Sequence, residues 1–329
     1  MSSKIPTAYA ADPLFRNQVI DYDSTKDALS TDTPLLSQLQ AISPNLKIYT
    51  RSSPSFSSLR AVQALNNFNQ PLLICRPTTE AEVGQIISFC VSSKTEFTVR
   101  AGGHDICGRS CIQDSLVIDV REMDSISLHH DKTSVAIGAG TLSDNLRRFL
   151  DSHGVMAPTG VCNTVGVVNW AAVGGYGPFN GSYGLGVDQI LSARLVNAKG
   201  QIVEADAETL WGIRGAGGNF GVIVELTLKV YPAAPILVGM ISFPISEARQ
   251  VLEGYQAVLD EEYPDAWGGG LAILKLPGLS GMINFFASWS SVDLEKGEIF
   301  LNRIRSLGNV IVDTVSRSES IKFKVLSKY

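Results

Sequence analysis

The chain has 329 residues, a formal net charge of −5, 45% hydrophobic and 18% charged residues, which is a globular composition long enough for about two domains. No lysine or arginine stripe offsets the acidic balance, so nucleic acid is not an expected partner, and no apolar run approaches the roughly 18 residues of a membrane span. Five cysteines (Cys75, Cys90, Cys107, Cys111 and Cys162) are an odd number at spacings foreign to a disulfide scaffold, so a monomer keeps at least one free thiol.

In chain order, residues 1–66 read as a lead-in, with Ser/Thr/Asp/Pro clusters at 21–33 and 51–58, one short helix around Leu35–Ile42, and no signal-peptide core at the start, which makes the cytoplasm the default placement. From 67 the pattern changes. Residues 71–75 are a strand, Thr78-Thr79-Glu80-Ala81-Glu82 opens a capped helix, and 97–100 is a second strand, together one β-α-β unit. It ends on the turn Arg100-Ala101-Gly102-Gly103-His104-Asp105. A second unit is read from strands at 115–120 and 134–137, a helix at 142–153 and the turn 158–162.

The interval 165–186 holds seven glycines, too many for a ladder or helix interior, so its backbone is expected close to something else. A hairpin follows at 191–204, then a glycine loop at 214–221 and an alternating strand at 222–230. Tyr231-Pro232-Ala233-Ala234-Pro235 reads as a domain boundary. Beyond it come strands at 237–243, 271–276 and 282–288, helices at 246–259 and 292–307, and a last strand at 310–315 with no evident partner, so that the end at Tyr329 reads as early.

Three site readings carry little weight. Gly138-Ala139-Gly140-Thr141-Leu142-Ser143 follows a strand, but Ser143 replaces the third glycine of a dinucleotide fingerprint and no acidic residue stands about twenty positions on. No Walker loop occurs. His104, Cys107 and Cys111 lack a matching fourth ligand, so no metal is expected. Runs of backbone N–H groups at 100–104 and 174–177 have the character of anion nests, because glycine lets the chain come close to a pyrophosphate.

Arg100-Ala101-Gly102-Gly103-His104-Asp105, Gly160-Val161-Cys162-Asn163-Thr164-Val165-Gly166-Val167, Gly174-Gly175-Tyr176-Gly177, Tyr183-Gly184-Leu185, Asp188-Gln189 and 214–222 together resemble the motifs of the berberine bridge enzyme branch of the vanillyl-alcohol oxidase / p-cresol methylhydroxylase (PCMH) flavoproteins, in order and approximate spacing. The resemblance is close over about 70–235. It implies an α+β fold: a two-subdomain PCMH-type FAD-binding domain at 67–235, followed by a partial antiparallel-sheet substrate domain at 236–329. It implies FAD as cofactor, with Arg100, Ala101, Gly102, Gly103, His104, Asp105, Gly160, Cys162, Val165, Gly166, Gly174, Gly175, Tyr176, Gly177 and Val222 at the cofactor. By position His104 is expected on the flavin 8α-methyl and Cys162 on ring carbon C6, since imidazole and thiolate suit attack on an electron-poor ring.

The implied activity is an oxidase or dehydrogenase that takes a hydride from a small organic metabolite and passes electrons to dioxygen, with secondary metabolism as the implied setting. A non-redox cyclisation on the same fold, or an inactive truncated relative, is the alternative. Two departures stand out. Val168, Asn169 and Val173 put side chains where the family has bare backbone and are expected to intrude near the cofactor. The C-terminal segment that usually supplies the active-site base has no counterpart, and no catalytic base is named.

Overall fold

The computed structural model describes residues 34–64, 66–275 and 280–318; the cluster at 21–33, the end of the strand expected at 271–276 and the tail after 318 lie outside them. Three sheets of four or five strands follow one another along the described residues, beside one two-stranded pairing. The first contains α1 (Pro34–Ile42), β1 (Lys47–Thr50), α2 (Phe56–Arg60), β2 (Leu73–Arg76), α3 (Glu80–Ser93), β3 (Phe97–Arg100) and β4 (Leu116–Asp119), with strand order β1-β2-β4-β3. Both β2 and β3 run parallel to β4, and both β2 and β4 are buried along their whole length, as their leading Leu73-Ile74-Cys75 and Leu116-Val117-Ile118 runs suit, with Arg76 and Asp119 closing them. The helix α3 starts at a capping box in which Thr79 accepts from the Glu82 N–H and Glu82 reaches back to the Thr79 N–H.

Two expectations change here. The strand at 116–119 belongs to this first sheet, slotted between β2 and β3, and not to the second unit. Part of the lead-in is also integral: β1 pairs antiparallel with β2, and Leu36, Leu39, Leu46 and Ile48 share one core with α3.

The second sheet is antiparallel. It contains β5 (Ile126–Leu128), β6 (Ser134–Gly138), α4 (Ser143–Asp151), β7 (Val155–Met156), α5 (Val167–Ala172), α6 (Asn180–Tyr183), α7 (Gly186–Gln189), β8 (Ile190–Val196), β9 (Ile202–Glu204), α8 (Ala207–Ala216) and β10 (Val222–Lys229), with β7 outside the sheet order β5-β6-β10-β8-β9. The glycine-dense interval thus does hold short helices, and α8, capped by Asp206 accepting from the Thr209 N–H, runs into the glycine loop, with Arg214 and Gly215 already off helical geometry. Gly138 and Gly140 pass the chain across the Val120–Met123 turn: a Cβ would stand 2.3 Å from the Met123 carbonyl and 2.2 Å from that of Val120. Close backbone packing, not a nucleotide, explains that pair of glycines.

After β11 (Tyr231–Pro232), which pairs with β7, come β12 (Ile236–Pro244), α9 (Ala248–Glu261), β13 (Trp267–Leu274), β14 (Met282–Trp289), α10 (Leu294–Arg305), β15 (Val312–Asp313) and β16 (Ser316–Ser318). One face of this third sheet packs Leu237, Ile241, Phe285 and Trp289 against α9 and α10. The last strand has a partner after all: β15 and β16 both pair with β12, a non-local match that nothing nearby in sequence signals. Its other face is tied to the turn after α5. Ser288 Oγ donates to the Pro178 carbonyl at 3.1 Å, Tyr176 Oη donates to that of Gly269 at 3.0 Å, and a Cβ at Gly268 would lie 1.9 Å from the Pro178 oxygen.

Candidate functional site

The turn after β3 and the loop before α5 lie backbone against backbone. A Cβ on Gly102 would stand 2.3 Å from the Thr164 carbonyl oxygen and 2.7 Å from the Gly166 nitrogen, and one on Gly166 would stand 2.8 Å from the Ala101 methyl. Both positions therefore require glycine for contact and not for a special φ. The close approach brings His104 and Cys162 together. His104 Nε2 and Thr164 Oγ1 share a hydrogen bond of 2.8 Å, while the Cys162 sulfur lies 4.0 Å from that same Nε2 and 3.7 Å from the threonine hydroxyl. Burial pushes the Cys162 thiol up, but His104 and Thr164 act against it, and the net result is a thiol lowered from 9.0 to about 7. Near neutrality a large share of it is thiolate, the nucleophilic form.

The cysteine loop is held by α4. Backbone N–H groups of Ser143 and Asp144 donate to the Val165 and Asn163 carbonyls at 2.9 and 3.0 Å. These loop carbonyls take up donors at the first turn of a helix that has no side-chain cap. Arg147, one turn further on, donates to the Gly160 carbonyl at 3.1 Å and to the Asn163 side chain. The third glycine turn closes onto the same loop. A Cβ on Gly177 would meet the Thr159 carbonyl at 2.4 Å, one on Gly175 would meet Gly186 Cα at 2.3 Å, and the Trp170 indole donates to the Tyr176 carbonyl at 3.0 Å.

Of the residues singled out from sequence, Ala101, Gly102, His104, Cys162 and Gly166 converge directly, and Gly160, Gly175, Tyr176 and Gly177 adjoin them. Val165 contributes its carbonyl to α4. Gly103 takes a left-handed φ of 70° and its carbonyl accepts from the Gln63 N–H. Asp105 folds the following turn, accepting from the Cys107 and Arg109 N–H groups. Arg100 is fully buried: its guanidinium donates to the Leu59 and Ala61 carbonyls, and burial lowers it to about 9. It fastens the α2 segment under the glycine turn. Val222 begins β10, pairs with Val196 and turns its side chain into the first core.

The expected intrusion is smaller than the sequence suggested. Val168 is 4% exposed and packs in the second core, so only Asn169 and Val173 approach the outer loops, where Val173 stands 2.9 Å from a Cβ position on Gly217. Thr164 and Arg147 were not singled out. Thr164 sits inside the Cys162 motif, which is the one signal that pointed to it; Arg147 lies on an ordinary amphipathic helix and had none.

A flavin fits this donor set. Gly174, Gly215 and Gly218 have no atom within 4 Å of their Cβ positions, so bare backbone borders open ground beside Val173. A nucleophilic thiol and an imidazole stand at the junction of the glycine loops.

Residues 71–206 match an FAD binding domain. Along 96% of its length the chain is 40% identical to the FAD-linked oxidoreductase aurO of Gibberella zeae, and it is 27% identical over 86% of its length to (R)-6-hydroxynicotine oxidase of Paenarthrobacter nicotinovorans. It spans 63% and 62% of those two relatives. Among solved structures, 6-hydroxy-D-nicotine oxidase from Arthrobacter nicotinovorans superposes with a TM-score of 0.80 at 26% identity, covering 88% of this chain and 64% of that one. A BBE-like protein of Physcomitrella patens, at 21% identity and TM-score 0.77 over 87% of this chain and 62% of that one, shares the fold.

Proposed function

The chain belongs to the berberine bridge enzyme-like family of FAD-linked oxidoreductases, and from that premise we propose that it oxidises a small organic metabolite with FAD tethered through His104 and Cys162. The observation that carries the reading is the meeting of two nucleophilic side chains, 58 residues apart in sequence, at 4.0 Å on packed glycine loops. When bound, FAD supplies a two-electron acceptor for hydride from the substrate, with dioxygen as the final acceptor.

The chain's own residues would do the holding. The Gly102–Gly103 and Gly174–Gly175 turns offer close backbone for the pyrophosphate, and His104 and Cys162 fix the ring. Tyr176, whose hydroxyl bridges to the Gly269 carbonyl, and the face of β13 and β14 tied to Pro178 border the space left for substrate. The relatives that oxidise (R)-6-hydroxynicotine favour a nitrogen- or oxygen-bearing ring compound as substrate class.

The test is to purify the protein, denature it in acid and separate pellet from supernatant. Yellow colour that stays with the polypeptide supports the tethered reading. Colour in the supernatant alone removes the tethers and leaves an FAD protein; no colour in either fraction overturns the proposal.

A further inference from the structure

We propose that Arg147 is the positioning residue of Cys162: from α4 it grips the Gly160–Asn163 loop at two points and keeps a cation near the sulfur, so that the thiol is aimed and reactive at the moment of attachment. The proposal rests on the reading that Cys162 is a flavin anchor.

Arg147 is 9% exposed, and its guanidinium divides between the Gly160 carbonyl at 3.1 Å and the Asn163 side-chain oxygen, which flank Cys162 on both sides. A planar fork can hold two such acceptors at once; a lysine ammonium cannot reproduce it. The titratable and charged groups around the Cys162 loop come from two elements. His104 approaches from the turn after β3. On α4 stand Arg147 and Arg148, both paired with Asp144 at 3.8 and 2.6 Å.

Of the two arginines, Arg148 is largely exposed, whereas Arg147 is buried and interacts electrostatically with Cys162. A buried cation is screened far less than an exposed one, so Arg147 is the one able to favour the thiolate. Attachment through sulfur forms a C–S bond at ring carbon C6; the thiol proton, the C6 proton and two electrons leave to dioxygen, giving hydrogen peroxide.

The test uses the full chain in two forms. In protein made flavin-free by a riboflavin-starved auxotrophic host, iodoacetamide alkylation of Cys162 is followed against pH by peptide mass. The wild-type midpoint is expected near 7. R147Q is expected to raise it and so to slow alkylation at pH 7 at least twofold, while R148Q leaves it in place. R147K, which keeps the charge and loses the fork, is expected to hold the midpoint and lose Cys162-linked flavin in the loaded protein.

An R147Q protein that folds and titrates with the wild type overturns the proposal. If R147Q fails to fold, N163A carries the test by freeing one arm of the guanidinium. Cys162-linked flavin in the loaded protein is then expected to fall at least twofold with the alkylation midpoint unmoved, and an undiminished yield overturns the proposal. Wild-type protein with no flavin on Cys162 but with a shifted R147Q midpoint would sink the anchor reading and leave the positioning role standing. Equal Cys162-linked flavin and equal midpoints in wild type and R147Q would do the reverse.

Discussion

Replacing Gly102 by alanine inserts one methyl group into the seam between the two anchor loops. Its carbon would start 2.3 Å from the Thr164 carbonyl oxygen, 2.7 Å from the Gly166 nitrogen and 3.2 Å from the Val165 carbonyl carbon. All three are backbone atoms, and the loop that carries them is pinned by the Ser143 and Asp144 N–H groups, so no side chain can swing aside. Overpacking of this kind costs about 1–3 kcal/mol, and the upper half of that range applies where backbone must shift.

For a chain of this size each kilocalorie lowers the melting temperature by roughly 2–4 °C, so a fall of about 4–12 °C is expected. The same shift carries Thr164 away from His104, so the fraction of flavin that resists acid extraction should fall with stability. Gly270→Ala is the matched control: nothing lies within 4 Å of its Cβ position in β13, and no loss is expected. The assay is thermal and urea unfolding of the three proteins beside the acid-extraction yield. G102A melting with wild type, with undiminished covalent flavin, would refute the packed-seam argument.

Other outcomes follow from the buried charges and from the thiol. Asp119 is fully buried; burial pushes its carboxyl up, but Arg121, Arg100 and Arg76 pull it down to about 2. Its folded value lies below the unfolded value of 3.8, so its contribution is present above that pH and is lost as pH falls through about 2. D119N should cost about 3–5 kcal/mol in urea unfolding at pH 7 by stranding the arginines, and an unchanged midpoint would refute it. The lowered Cys162 thiol has the same sign: flavin-free wild type should gain stability over C162S as pH rises from 7 toward 9, and parallel curves would contradict this. T164V, which removes the hydroxyl shared with His104, should slow covalent flavinylation severalfold while T164S restores it, as followed by in-gel flavin fluorescence.

What could be read from the sequence was local. Buried strands such as Leu73–Arg76 and Leu116–Asp119 open on three consecutive apolar residues before a single charge, and Thr79 with Glu82 writes the start of α3 in four residues. The placement of β4 between β2 and β3, and of β15 and β16 along β12, depends on pairings across long stretches that no short pattern encodes. In the glycine-dense interval, composition argued against helix, whereas backbone contacts such as Gly175 against Gly186 fold it into short helical turns. His104 and Cys162 were legible because their residue types and motif carry the chemistry. Thr164 and Arg147 were not, since their importance lies in what they touch.

The most direct measurement of the central claim is peptide mass spectrometry on protease-digested, flavin-loaded protein. The account predicts one FAD joining the peptide that contains His104 to the peptide that contains Cys162. Recovery of both peptides at their unmodified masses from yellow protein would contradict it.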